Sequence, residues 1–133
     1  MKKIIIAVIV VALFAYFGKM IYKISLPDYS DTESDLILYW GKGCPHCETV
    51  KNYIRENKLD DKLKISYREV YYDNGNQTKL EETTKLCPEI DTTQGIGVPL
   101  SFDPKEKKCI LGDQPAIEWL KNIKKYNLES NHL

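Results

Sequence analysis

Asp35-Leu36-Ile37-Leu38-Tyr39-Trp40-Gly41-Lys42-Gly43-Cys44-Pro45-His46-Cys47 is the stretch on which the fold turns. Its first six residues form a short apolar run, bounded by Gly41 and Gly43, which reads as a buried strand. From Cys44 the period changes. Cys47, Val50, Tyr53 and Ile54 recur at helical spacing, with Lys51, Arg55 and Glu56 between them. That pattern predicts an amphipathic helix ending near residues 57–61.

Leu63 to Tyr72 mixes apolar and polar residues in the manner of a second strand, with Tyr67, Tyr71 and Tyr72 as packing residues. Asp73-Asn74-Gly75-Asn76 reads as a turn. Thr78 to Leu86 reads as a helix with Leu80, Thr83 and Leu86 on one side, closed by Pro88. Gly95, Gly97 and Pro99 punctuate a loop. Leu100-Ser101-Phe102 and Lys108-Cys109-Ile110-Leu111 give a third and a fourth strand. Pro115 suits the first position of a final helix, with Ile117, Leu120 and Ile123 on its buried face and Trp119 beside them. The order is βαβαββα. A βαβ unit crosses over right-handed and pairs its strands in parallel. Two strands joined by a short connection pair antiparallel. The expected fold class is therefore α/β, a mixed four-stranded sheet sandwiched by helices.

Before this domain, Lys2 and Lys3 precede an apolar run from Ile4 to Phe17, broken only by Tyr16. A positive start and an apolar run fit a signal sequence or signal-anchor. Extended to Ile24, with Lys19 snorkelling, the segment reaches the length that spans a bilayer. A cleavable signal wants small residues in an A-x-A-like pattern, which Ala12-Leu13-Phe14-Ala15 matches poorly. A buried core helix is the third reading. The anchor reading gives residues 1–24 to the membrane, 25–34 to a polar linker, 35–127 to the domain and 128–133 to a polar tail. Lysines at the start favour a cytoplasmic N-terminus, although Lys19 and Lys23 weaken the bias. The expected location is the cytoplasmic membrane, single-pass, with the C-terminal domain outside the cytoplasm.

The 133 residues suffice for one domain. Their formal charge is zero, which removes the electrostatic argument for nucleic acid as a partner. No Gly-rich phosphate loop and no carboxylate pair stands out, and His132 lies in the polar tail.

Chemistry concentrates at Cys44-Pro45-His46-Cys47. A cysteine at a helix N-terminus meets free N–H groups and the positive end of the helix dipole, which favour its thiolate. Pro45 suits the first turn, and protonated His46 adds positive charge nearby. Cys47 lies one turn on, within reach of a disulfide. Cys44 then exchanges with a substrate sulfur and Cys47 resolves the mixed disulfide. A C-x-x-C is also half of many zinc sites. Here Cys87 and Cys109 form no second such knuckle, and His46 lies inside the motif, so no metal is assigned. A purely structural disulfide is the other alternative, but so short a loop stabilises little.

The sequence resembles the thioredoxin and glutaredoxin superfamily over about Asp35 to Tyr126. The resemblance rests on Trp40 to Cys47, on Val98-Pro99 and on Gly112-Asp113. It implies a thioredoxin-like, glutaredoxin-type three-layer sandwich. It also implies a cis-proline at Pro99 facing the Cys44–Cys47 pair, with the Val98 backbone pairing with substrate. Pro-His between the cysteines further resembles the periplasmic disulfide oxidases, which suggests an oxidant. Two departures qualify this. The large helical insertion of those oxidases is missing. Leu111 before Gly112, and Gln114-Pro115 after Asp113, replace the usual glutathione-holding residues and put glutathione binding in doubt.

Cys87 and Cys109 are expected to form a structural disulfide across the Pro99 loop. Two buried free thiols, or a second redox pair, are the alternatives. The function expected is thiol–disulfide exchange with protein thiols, through Cys44 and Cys47, without a cofactor and with a membrane redox partner as a further possibility. The alternative is a non-catalytic binding module of the same fold whose cysteines are structural or metal-bound.

Overall fold

Strand β1 (Leu36–Trp40) runs through the interior of a four-stranded sheet in the order β2-β1-β3-β4. In this computed structural model the described residues are residue 6, 9–14 and 29–130, with side chains described as far as residue 123. Strand β1 leads into helix α1 (Pro45–Glu56), which is followed by a 3-10 turn at Leu59–Asp61 and strand β2 (Ile65–Glu69). Helix α2 (Asn74–Thr84), strands β3 (Leu100–Asp103) and β4 (Lys108–Leu111), and helix α3 (Asp113–Ser130) complete the chain. Strands β1 and β2 are parallel, with Leu38 opposite Tyr67. The β1–β3 and β3–β4 pairs are antiparallel. The mixed sheet and the βαβαββα order agree with the sequence reading.

Alternation along β1 divides the core. Leu36 and Leu38 face Val50 and Ile54 of α1 and Ala116 and Leu120 of α3. Ile37 and Tyr39 face Leu80 of α2, with Phe102 and Cys109 beside them. Helices thus cover both faces. Each of these fully buried aliphatic side chains contributes about 1.5–3 kcal/mol.

Several local expectations are corrected. Strand β2 stops at Glu69, so Tyr71 and Tyr72 lie exposed instead of packing in the sheet. The cause is the Glu69 carboxylate, which accepts the Tyr71 and Tyr72 N–H groups and turns the chain away. Asp73 to Asn76 is no free-standing turn. Asp73 caps α2 by accepting the Asn76 N–H, so the helix starts at Asn74. Leu86 falls beyond the end of that helix and is exposed. Helix α3 begins at Asp113, two residues before Pro115, and continues to Ser130. Among its residues with described side chains, Ala116 and Leu120 are the fully buried ones.

Residues 29–34, within the stretch expected as a linker, fold back onto side chains of β2. The buried Arg68 guanidinium donates to the Tyr29 carbonyl and to Asp31, at 3.0 Å each. Ser34 is buried and donates to the Ser30 carbonyl. This strap helps to bury the Ser66 and Arg68 side chains of β2, and the Ser66 hydroxyl donates to the Tyr29 carbonyl.

Most of the anchor segment expected over residues 1–24 lies outside the described residues. Residues 9–14 are helical, with Val11 and Phe14 well exposed. Among the described residues no helix is long and apolar enough to cross a membrane.

Arg68→Met keeps the side-chain stem but removes the bond to the Tyr29 carbonyl. It is expected to lower the unfolding free energy by about 2 kcal/mol, read by urea denaturation. Asp31 is half exposed, so Asp31→Ala should cost only about 0.5 kcal/mol. Equal losses would mean that the charge pair, and not the carbonyl bond, holds the strap.

Candidate active site

The turn from β1 into α1 sets the site. Gly41 packs so tightly against the Tyr71 ring that a Cβ there would collide with it. Gly43 has φ +83°, a conformation that favours glycine. Between these two constraints the Cys44 N–H reaches back to the Gly41 carbonyl at 3.1 Å. Cys44 thereby becomes the N-cap of α1, with Pro45 as first helical residue. The Cys47 N–H donates to Cys44 Sγ at 3.2 Å. That contact is the interaction a helix N-terminus offers to a developing sulfur anion.

Cys44 and Cys47 are joined as a disulfide, with Cα atoms 5.3 Å apart. Cys47 is fully buried, whereas Cys44 retains 8% exposure. Cys44 Sγ lies 3.9 Å from the Val98 carbonyl oxygen, and the Val98–Pro99 bond is cis. The tertiary fold thus brings Cys44, Cys47, Val98 and Pro99 together from two loops separated by more than fifty positions. His46 is exposed in the first turn of α1, and its Nδ1 lies 3.0 Å from Asp113 Oδ2. Through that bond Asp113 joins the same cluster.

Cys87 and Cys109 form the second disulfide, with Cα atoms 5.8 Å apart. Both are buried in the face that holds Ile37 and Tyr39. The expected pairing is present, and it ties the start of the loop ahead of β3 to β4. The far end of that loop is held by the Gly112 N–H, which donates to the Pro99 carbonyl at 2.9 Å. Among the described residues no group of three or more His, Cys, Asp or Glu is arranged to hold a metal ion.

Glu69 is the support that the sequence reading missed. Its carboxylate accepts the N–H groups of Lys42, Tyr71 and Tyr72, locking the turn before Cys44 to the loop after β2. Partial desolvation pulls its pKa upward, but the donors from Tyr72, Lys42 and Tyr71 prevail and hold it below the usual glutamate value. No sequence signal marks such a clamp, because its donors are backbone groups. Beside it, Lys51 Nζ sits 3.8 Å above the centroid of the Trp40 ring and pairs with Glu48.

Comparison with models of known protein families, with curated proteins and with solved structures finds no match in any of the three.

Two outcomes follow. Because Glu69 titrates below its ordinary value, its contribution is complete above that value and is lost as pH falls through the folded one. Amide exchange at Lys42, Tyr71 and Tyr72 should accelerate together over that acidic window, and in Glu69→Ala should already be fast at neutral pH. Replacing both Cys87 and Cys109 by Ala removes a cross-link spanning 22 positions. It should cost about 3 kcal/mol in urea unfolding.

Proposed function

We propose that this chain is a thiol–disulfide oxidoreductase of the thioredoxin-like, glutaredoxin-type fold, exchanging disulfides with protein thiols through Cys44 and Cys47. One observation carries the reading: a disulfide whose outer sulfur caps a helix N-terminus and faces the backbone beside a cis-proline. Each part has a chemical use. The helix N-terminus stabilises the Cys44 thiolate as a leaving group or attacking group. Burial of Cys47 reserves it for resolving the mixed disulfide. The Val98 carbonyl offers an acceptor to an extended substrate backbone.

The reaction is a pair of exchanges. A substrate thiolate attacks Cys44 Sγ, and the Cys44–Cys47 bond breaks with its electron pair leaving on Cys47. A second substrate thiolate then attacks the substrate sulfur of the mixed disulfide and releases the Cys44 thiolate. Run in reverse, the same steps reduce a substrate disulfide.

A location outside the cytoplasmic membrane, tethered by residues 1–24, belongs to the same proposal. Two features support it. Residues 9–14 form a helical stretch with apolar side chains turned to solvent, which a lipid phase would cover. The Cys87–Cys109 disulfide suits an oxidising compartment.

The test is the reduction potential of the Cys44–Cys47 pair in defined glutathione buffers. A value near about −120 mV identifies an oxidant, and one near about −270 mV a reductant. In Cys47→Ser the Cys44 thiolate should attack a disulfide-linked cysteine peptide, releasing one peptide as its thiol and keeping the other as a mixed disulfide that accumulates, visible by mass spectrometry. No such adduct at Cys44 would rule out the exchange reading.

A further inference from the structure

The bond between His46 and Asp113 is not needed to explain a redox disulfide, nor does the fold require it. Both partners lie toward the surface, with side-chain exposures of 68% and 21%. Exposed pairs of this kind contribute little to stability. Their placement is nonetheless tightly defined. Asp113 is the first residue of α3, and its Oδ1 accepts the Gln114 N–H at 2.9 Å. Its Oδ2 is directed to His46 Nδ1 at 3.0 Å. The preceding residue, Gly112, donates its N–H to the Pro99 carbonyl. Asp113 is thus fixed relative to the cis-proline loop on one side and to the helix bearing Cys44 on the other.

The bond has a definite polarity. The His46 contact comes first among the influences that hold the Asp113 carboxyl below the usual aspartate range. At neutral pH Asp113 is therefore ionised, and an ionised carboxylate only accepts hydrogen bonds. The hydrogen between them must sit on Nδ1, which leaves Nε2 as the nitrogen that gains or loses a proton. A carboxylate that fixes the tautomer and orientation of an imidazole is the arrangement by which histidine becomes a directed proton carrier.

We propose that Asp113 is a positioning residue for thiol–disulfide exchange, holding His46 with Nδ1–H engaged so that Nε2 carries the proton of the substrate thiol. This rests on the exchange reading given above. A substrate thiol gives its proton to Nε2. Its sulfur, now a thiolate, attacks Cys44 Sγ, and the electron pair of the Cys44–Cys47 bond leaves on Cys47 Sγ. The products are the mixed disulfide, a Cys47 thiolate and an imidazolium, so charge and protons balance. In the reverse step Cys47 attacks Cys44 Sγ, and the departing substrate thiolate takes the proton back from Nε2. The device serves either direction of electron flow, because it handles the proton of the substrate sulfur in both.

The experiment compares the native chain with Asp113→Asn, Asp113→Glu, His46→Gln and the double variant Asp113→Asn with His46→Gln. Two quantities are read: the single-turnover rate at which a cysteine peptide opens the Cys44–Cys47 disulfide at neutral pH, and the nitrogen chemical shifts of His46, which report its tautomer. The Asp113→Asn amide can donate to Nδ1, so this variant should move the hydrogen to Nε2 and slow the exchange about tenfold or more. Asp113→Glu should restore the Nδ1–H tautomer and most of the rate. In the His46→Gln background the Asp113→Asn change should have no effect on rate. An equal loss in both backgrounds overturns the proposal, since Asp113 would then act without His46. So does an unchanged tautomer, or an unchanged rate in a chain that otherwise reacts. A native chain that fails to react with the peptide would instead sink the exchange reading itself, and this proposal with it.

Discussion

Everything in this structure hangs on β1 being hydrogen-bonded on both edges and buried on both faces. All five of its residues pair with β2 in parallel, and Ile37, Leu38 and Tyr39 pair with β3 antiparallel. Leu36, Ile37, Leu38 and Tyr39 are almost completely removed from water. A strand so constrained cannot shift its register, because a one-residue slip would exchange its two faces. The point where it ends is therefore fixed, and the turn that follows delivers Cys44 to the start of α1. The candidate site is an outcome of sheet packing before it is an outcome of its own residues.

The two disulfides occupy contrasting settings on that frame. Cys44–Cys47 sits where strand becomes helix, with one sulfur near the surface and helix N–H groups beside it. Cys87–Cys109 lies in the core against Ile37, Tyr39 and Phe102, without access to a reacting partner. A helix N-terminus favours a thiolate, whereas burial among apolar side chains keeps a cross-link out of reach of attacking thiols. Their connection is mechanical. The buried disulfide holds one end of the segment that presents Val98 and Pro99 to Cys44, and the Gly112–Pro99 bond holds the other. Glu69 does the same for the opposite wall, joining the turn before Cys44 to the loop carrying Tyr71 and Tyr72.

Periodicity was a sound guide where burial alone decides structure. The switch at Gly41 to Gly43 from an apolar run to helical spacing marked β1 and α1, and both are present. It failed where a polar side chain redirects the backbone. Asp73 turned an apparent loop into a helix start, Glu69 ended β2 early, and Arg68 drew residues 29–34 onto the side chains of β2. In each case one carboxylate or guanidinium satisfies backbone groups. The pattern of apolar residues carries no trace of such bonds.

The sequence by itself determined the element order, the mixed sheet and the position of the two cysteines at a strand-to-helix junction, because these follow from local spacing and the geometry of short connections. The family resemblance also implied that Pro99 faces the Cys44–Cys47 pair, and it marked Asp113 without its neighbour. Only the tertiary structure decided that Cys44 faces the Val98 carbonyl, that His46 meets Asp113 and that Cys87 meets Cys109. Those contacts join residues from 22 to 67 positions apart. Contacts of that kind exist only after β3 has paired with β1 and brought the loops at its ends to the start of α1. A distance across the sheet is a property of the packed core, and no local stretch of chain encodes it.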